Sequence, residues 1–148
     1  TAPTSTVFSV GTRNAVNASS EGHVAYCFAE KKGYSKIGSY TGNGNNDGTF
    51  VYTGFKPAWF MMKRTDANGE SWNIQDNTRS AINPVTNELV ADGTNVEYTS
   101  GSRGDFLSNG FKLRTTSGGY NVSGSNYIYM AFAEQPFTSS QGVPANAE

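Results

Sequence analysis

One cysteine and one histidine in 148 residues remove several chemistries at once. The lone thiol, Cys27, excludes an internal disulfide and any cysteine-rich zinc site. It sits in an apolar alternating run, which predicts a small buried hydrophobe rather than a nucleophile. The lone imidazole, His23, would have to serve any Ser-His-Asp arrangement, and no Gly-x-Ser-x-Gly elbow accompanies it. Charged residues make up only 16% of the chain and the net charge is −1, so the clustered Lys and Arg that grip nucleic acid or an anionic membrane are missing. No apolar stretch approaches the roughly 20 residues of a membrane span, and no basic-then-apolar leader opens the chain. The start, Thr1-Ala2-Pro3-Thr4-Ser5, lacks an initiator Met and reads as linker, the expectation for a processed or excerpted piece of a longer polypeptide.

What is abundant points to β-structure. Aromatics at 13% together with 17 glycines are the mix of many short strands joined by tight turns. A chain of this length buries about 68–70% of its unfolded surface, enough for one core without staples. The strongest internal signal is an echo. NASSEGHVAYCFAE at Asn17 to Glu30 returns as NVSGSNYIYMAFAE at Asn121 to Glu134, ungapped at an offset of 104 residues, and Val7 to Val10 resembles Gly110 to Leu113 at an offset one residue shorter. Either residues 4 to 30 end a preceding repeat, or one sandwich uses two similar strands in different places.

Period-two patterning dominates between the turns. Val24, Tyr26, Phe28 and again Ile128, Met130, Phe132 alternate with small residues, so both faces are apolar and both segments read as central strands covered on each side. Further strands are predicted near Ser35 to Tyr40, Thr49 to Tyr52, Ala58 to Lys63, Ser71 to Gln75, Val96 to Tyr98, Asp105 to Leu107 and Phe111 to Arg114. Ser108-Asn109-Gly110 and Asp66-Ala67-Asn68-Gly69 read as hairpin turns, the first through an Asn-Gly pair suited to positive φ. Only Asn83 to Leu89 has the pattern of a helical turn. The whole is an all-β, antiparallel β-sandwich or jelly roll. Its domain reading is an N-terminal linker and echo strands at 1–33, a sandwich module at 34–137 and a C-terminal tail at 138–148.

Four ordered blocks carry a family resemblance: YSKIGSYTGNG at Tyr34 to Gly44, FVYTGFKPA at Phe50 to Ala58, DFLSNGFKLR at Asp105 to Arg114, and YIYMAFAE at Tyr127 to Glu134. With TSTVFSVG at Thr4 to Gly11 ahead of Tyr26 to Glu30, they resemble a concanavalin A-like β-sandwich module of tailed-phage virion proteins, common in marine phages. Trp72, Ile74, Asp76 and Arg79 also fit that pattern, with Asp76 and Arg79 as a structural ion pair. The resemblance implies a virion surface part, namely a capsid decoration, head-fibre or tail-fibre module. Such a part binds neighbouring virion proteins and copies of itself, a symmetric trimer being compatible, or attaches to host glycans. It implies a location on the virion exterior and supplies no catalytic residues.

Candidate chemistry is sparse. A carbohydrate site would combine aromatic faces with Asn and Asp donors, and Tyr40, Asn45, Asp47, Tyr52, Trp59, Trp72 and Tyr120 offer those types near loops. Trp59 lies in an apolar run whose more natural destination is the core. Glu30 and Glu134 close sister strands, so a glycosidase pair comes to mind. Sandwich glycosidases, however, place their acids on one strand as Glu-x-Asp-x-x-Glu, which is absent here. Asn45, Asn46 and Asp47 include too few carboxylates for calcium. His23 and Cys27 share a strand face without an oxyanion motif, and Arg103-Gly104-Asp105 reads as a chance tripeptide. The sequons at Asn17 and Asn121 read as turn chemistry. The expectation is therefore a non-enzymatic module without metal or cofactor, with a lectin-like host-attachment module as the alternative and a sandwich glycoside hydrolase behind it.

Overall fold

The computed structural model describes residues 4–135, so the tail at 138–148 and the first three residues lie outside the described part. Eight strands follow one short helix, α1 (Asn14–Asn17). They are β1 (Ser35–Thr41), β2 (Phe50–Tyr52), β3 (Pro57–Arg64), β4 (Asn73–Asp76), β5 (Leu89–Val90), β6 (Gly104–Leu107), β7 (Gly110–Leu113) and β8 (Asn126–Ala133). A five-stranded antiparallel sheet in the order β1-β8-β3-β4-β5 faces a three-stranded sheet in the order β2-β7-β6. The expected antiparallel sandwich is what forms.

Aromatic packing fills the space between the sheets. Phe60, Phe111, Leu113, Met62 and Tyr127 are fully buried there, with Phe60 stacked on Phe111 at 4.2 Å and Tyr40 stacked on Tyr127 at 4.9 Å. Removing a ring such as Phe111 from this cluster costs about 3–5 kcal/mol, because the void cannot fully collapse. Two tyrosines secure their polar tips on the backbone. Tyr40 donates to the Tyr120 carbonyl at 2.7 Å, and Tyr127 donates to the Gly118 carbonyl at 2.8 Å while accepting the Val122 N–H at 2.9 Å.

Asn121 is the polar counterpart of that cluster. It is fully buried, and its amide nitrogen lies 2.8–3.0 Å from the Asn43 side chain and the Asn45 and Thr115 carbonyls. Its amide oxygen accepts the Asn43 N–H at 2.9 Å. The loop from Gly42 to Gly48 is thereby hung on one side chain, which bonds both the Asn43 N–H and the Asn45 carbonyl.

Several expectations are corrected. Val24 to Phe28 forms no strand: the segment from Glu21 to Glu30 is exposed and has no ladder with any described residue. Cys27 is consequently exposed rather than buried. Val96 to Tyr98 supplies only an isolated bridge between Glu88 and Tyr98, and Asn83 to Leu89 makes bridges instead of a helical turn. The β6–β7 hairpin exists with Leu107 opposite Gly110, but neither Asn109 nor Gly110 takes positive φ. Gly110 is needed for a different reason, since a Cβ there would lie 2.1 Å from the Val51 carbonyl of β2. Gly69, at φ +81° with open space around it, is the turn glycine of the expected kind.

The chain also covers the start of its own longest edge strand. Before β1 the chain turns back at Lys31 to Gly33, so that Lys31 bridges Ser35 and the Ser35 hydroxyl donates to the Ala29 carbonyl at 2.9 Å. The Glu30 carboxylate reaches Lys36 Nζ at 2.7 Å on the same strand. That hydrogen bond, with help from the Ile37 N–H, holds Glu30 below the usual carboxylate range.

Candidate functional site

Strand register decides which face each side chain takes, and here it reverses the intuitive assignment. In β8 the residues pointing into the core are Tyr127, Tyr129 and Ala131. The large alternating set, Ile128, Met130 and Phe132, points outward. Pairing places Ile37, Met130, Met61, Ile74 and Leu89 side by side, one from each strand of the five-stranded sheet. An uninterrupted apolar row therefore crosses the outer face. Ile37 and Leu89 at its ends are 40% and 37% exposed, and the three between are half-buried by one another.

Adjacent rows extend the patch. On one side Phe132 pairs with Trp59 across the strands, their rings 5.6 Å apart, and Phe28 and Tyr34 pack edge-on against the same phenylalanine at 5.8 Å each. On the other side Ile128 pairs with Lys63, whose ammonium lies 5.9 Å from the Trp72 ring centroid and donates to the Glu70 carbonyl. Lys63 lays its aliphatic stem over the sheet and keeps its charge at the rim. Trp59 and Trp72 are thus half-buried members of this exterior face, not core residues.

The other proposed sugar-binding residues are scattered. Tyr40 and Tyr120 are core residues, their phenols pushed well above the ordinary tyrosine range by burial. Tyr52 stands exposed on the opposite sheet. Asn45 spends its side-chain oxygen on the Asp47 N–H at 2.8 Å. Asp47 is held by Lys112 at 2.6 Å and Arg114 at 2.9 Å, and the Lys112 bond is the first cause of its lowered pKa. The seven residues fall into four separate places, so no single glycan site contains them.

A polar groove does open at the loop end, about 780 Å³ in volume, lined by Asn46, Asn83, Arg103, Asp105 and Arg114 among others. It has no aromatic lining on which a sugar ring could stack. Its charges are already matched: Arg114 contacts Asp105 at 2.6 Å and Arg103 contacts Glu88 at 2.5 Å. The pairing expected between Asp76 and Arg79 is present, and Arg79 also reaches Glu97 at 2.6 Å. Burial pushes the Asp76 carboxyl up, but the Arg79 N–H and guanidinium outweigh it and hold the group below its ordinary value.

The two acids considered for hydrolysis are also engaged separately. Glu30 pairs with Lys36, whereas Glu134 accepts from the Asn77 amide at 2.7 Å and lies 2.7 Å from Lys56 Nζ. His23 accepts the Ala18 N–H at 3.1 Å. Among the described residues no cluster of His, Cys, Asp and Glu has the form of a metal site.

The family model for "Domain of unknown function (DUF7483)" matches residues 1–136. The chain belongs to that family. No curated protein and no solved structure matches it. The DUF7483 match spans the segment before β1 as well as the whole sandwich. The apolar exterior of its five-stranded sheet was missed by sequence reasoning, which assigned both faces of β8 to the interior. The signal was available: large residues at Ile128, Met130 and Phe132 alternate with tyrosines, and the tyrosines took the core.

Proposed function

We propose that this DUF7483 chain is a non-enzymatic assembly module that docks to protein neighbours through the outer face of its five-stranded sheet. One observation carries the reading, the apolar row of Ile37, Met130, Met61, Ile74 and Leu89 running unbroken over all five strands. A sheet face left to solvent normally alternates polar residues outward, and a contiguous apolar exterior marks a contact surface. The resemblance to concanavalin A-like modules of tailed-phage virions supplies the setting: a capsid decoration, head-fibre or tail-fibre part on the particle exterior. Engaged carboxylates and a groove without aromatics favour this reading over hydrolysis and over sugar binding.

The test is the double variant Ile37→Lys, Ile128→Lys, which charges two exposed positions of the face and leaves the core untouched. Association with purified source particles, followed by co-sedimentation, should fall at least about tenfold, as expected when contacts at an interface centre are replaced by unpaired charge. Undiminished association of the folded variant would overturn the proposal. Turnover of β-glucans or algal polysaccharides that disappears in Glu30→Gln or Glu134→Gln would overturn its non-enzymatic part.

A further inference from the structure

The sheet face is too small to hold a partner alone. Four inter-strand steps of about 4.8 Å and two along-strand steps of about 6.7 Å give a patch on the order of 300 Å². A stable protein interface takes about 800 Å² from each side. The missing area is present elsewhere on the same chain. Apart from the sandwich, the exposed large apolar residues gather in the segment before β1, where Val7, Phe8, Val10, Val16, Val24 and Tyr26 are each at least 46% exposed.

That segment has the properties of an unpaired strand. From Glu21 to Glu30 it belongs to no ladder with the described residues, and its side chains alternate Val24, Tyr26 and Phe28 against Ala25, Cys27 and Ala29. Its first stretch curls so that Phe8, Val10, Val16 and Val24 border an open groove of about 520 Å³. Exposure rises from 55% at Phe28, which rests on Phe132, to 84% at Tyr26. The arm and the face are therefore one continuous apolar surface joined at the Phe28–Phe132 contact.

We infer that a second copy of this chain is the occupant: the arm strand of each copy lies with Val24 and Tyr26 on the outer sheet face of the other. The arm's large row repeats Ile128, Met130 and Phe132 at the 104-residue offset, so what it presents to the partner is the face's own pattern. The small row of Ala25, Cys27 and Ala29 lets the strand pass without overpacking. Reciprocal exchange makes the contact isologous and adds two arms to two faces, which raises the buried area toward what a specific dimer requires. The inference rests on the assembly reading of the same face and names its partner.

Cys27 supplies the probe, since it is the one thiol in the chain and is exposed on the arm. A nitroxide on Cys27 of unlabelled protein, mixed with an equal amount of spin-free, nitrogen-15 protein, should broaden the amide signals of Met61, Ile74 and Leu89 in the second copy. Sedimentation should show self-association weakened at least tenfold by Tyr26→Asp, and equally by Ile37→Lys, Ile128→Lys. Absence of intermolecular broadening, or a Tyr26→Asp protein that associates as wild type, would overturn the arm exchange. Loss of particle binding in the face variant under those same conditions would leave the assembly reading standing. A protein monomeric at millimolar concentration would also overturn the exchange.

Discussion

Asn17 to Glu30 and Asn121 to Glu134 read alike, yet one is an exposed arm and the other runs from a buried hub into an interior strand of a sheet, paired on both sides. Their agreement in large residues is confined to one side. Val24, Tyr26 and Phe28 match the outward Ile128, Met130 and Phe132, whereas His23, Ala25 and Cys27 stand where Tyr127, Tyr129 and Ala131 enter the core. The arm keeps the pattern of an exterior and lacks the volume of an interior. It cannot close a sandwich with this core, because two buried tyrosines are replaced by His23 and Ala25. A strand's place in a fold is set by the residues it buries, and an echo of the exposed set alone does not transfer that place.

The sharpest way to break this comparison is paired truncation. Tyr127→Ala should lower unfolding free energy by about 3–5 kcal/mol in urea melts, while the aligned His23→Ala should stay within about 0.5 kcal/mol. Equal effects would mean that the arm is packed as β8 is. Next comes the asparagine pair. Asn121→Ala leaves the Gly42 to Gly48 loop without its hub and should cost about 2–3 kcal/mol, with faster amide exchange at Asn43 and Asn45. Asn17→Ala, at an exposed helix end, should again change stability by less than about 0.5 kcal/mol.

A third pair uses the upstream echo, where Val7 occupies the position that Gly110 holds in β7. Gly110→Val would force a Cβ against the Val51 carbonyl and should cost about 1–3 kcal/mol, read as a lower urea midpoint and weakened protection of β2 amides. Val7→Gly should leave the midpoint unchanged.

The smallest expected effect is the response to acid. Asp66 and Asp76 both have folded-state pKa values below their ordinary ones: Asp66 through Arg64 first and the Asn126 N–H next, Asp76 through Arg79 against the opposing pull of burial. A depressed carboxyl stabilises the fold above its unfolded pKa of about 3.9, and that contribution is lost as pH falls through the folded value. The urea midpoint should therefore decline below about pH 4, and Asp76→Asn should flatten part of that decline while arm variants leave it unaltered. An unchanged slope in Asp76→Asn would assign the acid response elsewhere.

Much of the sandwich was legible because its strands announce themselves locally. β1, β3, β6, β7 and β8 lie within a residue or two of the expected positions, since turn residues such as Gly69 and the Ser108–Asn109 pair punctuate strong period-two runs. The arm was misread for the same reason: Val24, Tyr26 and Phe28 satisfy the strand pattern, but a ladder also needs a neighbour, and sequence periodicity does not supply one. The exterior row was illegible because it is built from one residue of each of five strands, scattered from Ile37 to Met130 and joined in an order unlike that of the chain. Tyr40 and Tyr120 misled for a further reason. A tyrosine beside a loop looks like a ligand platform until its hydroxyl is seen bound to backbone or to Gln75.

The turn that carries Lys31 back over Ser35, with Glu30 tied to Lys36, occupies the start of β1 with the chain's own backbone and a charged pair. Sheets with open margins recruit strands without limit, and this is the route by which β-rich proteins become fibres. Under the arm exchange proposed above, copies of this chain meet face to face instead, where each contact consumes the surface that made it. Growth under that rule stops at a fixed number of subunits instead of running on into a fibre.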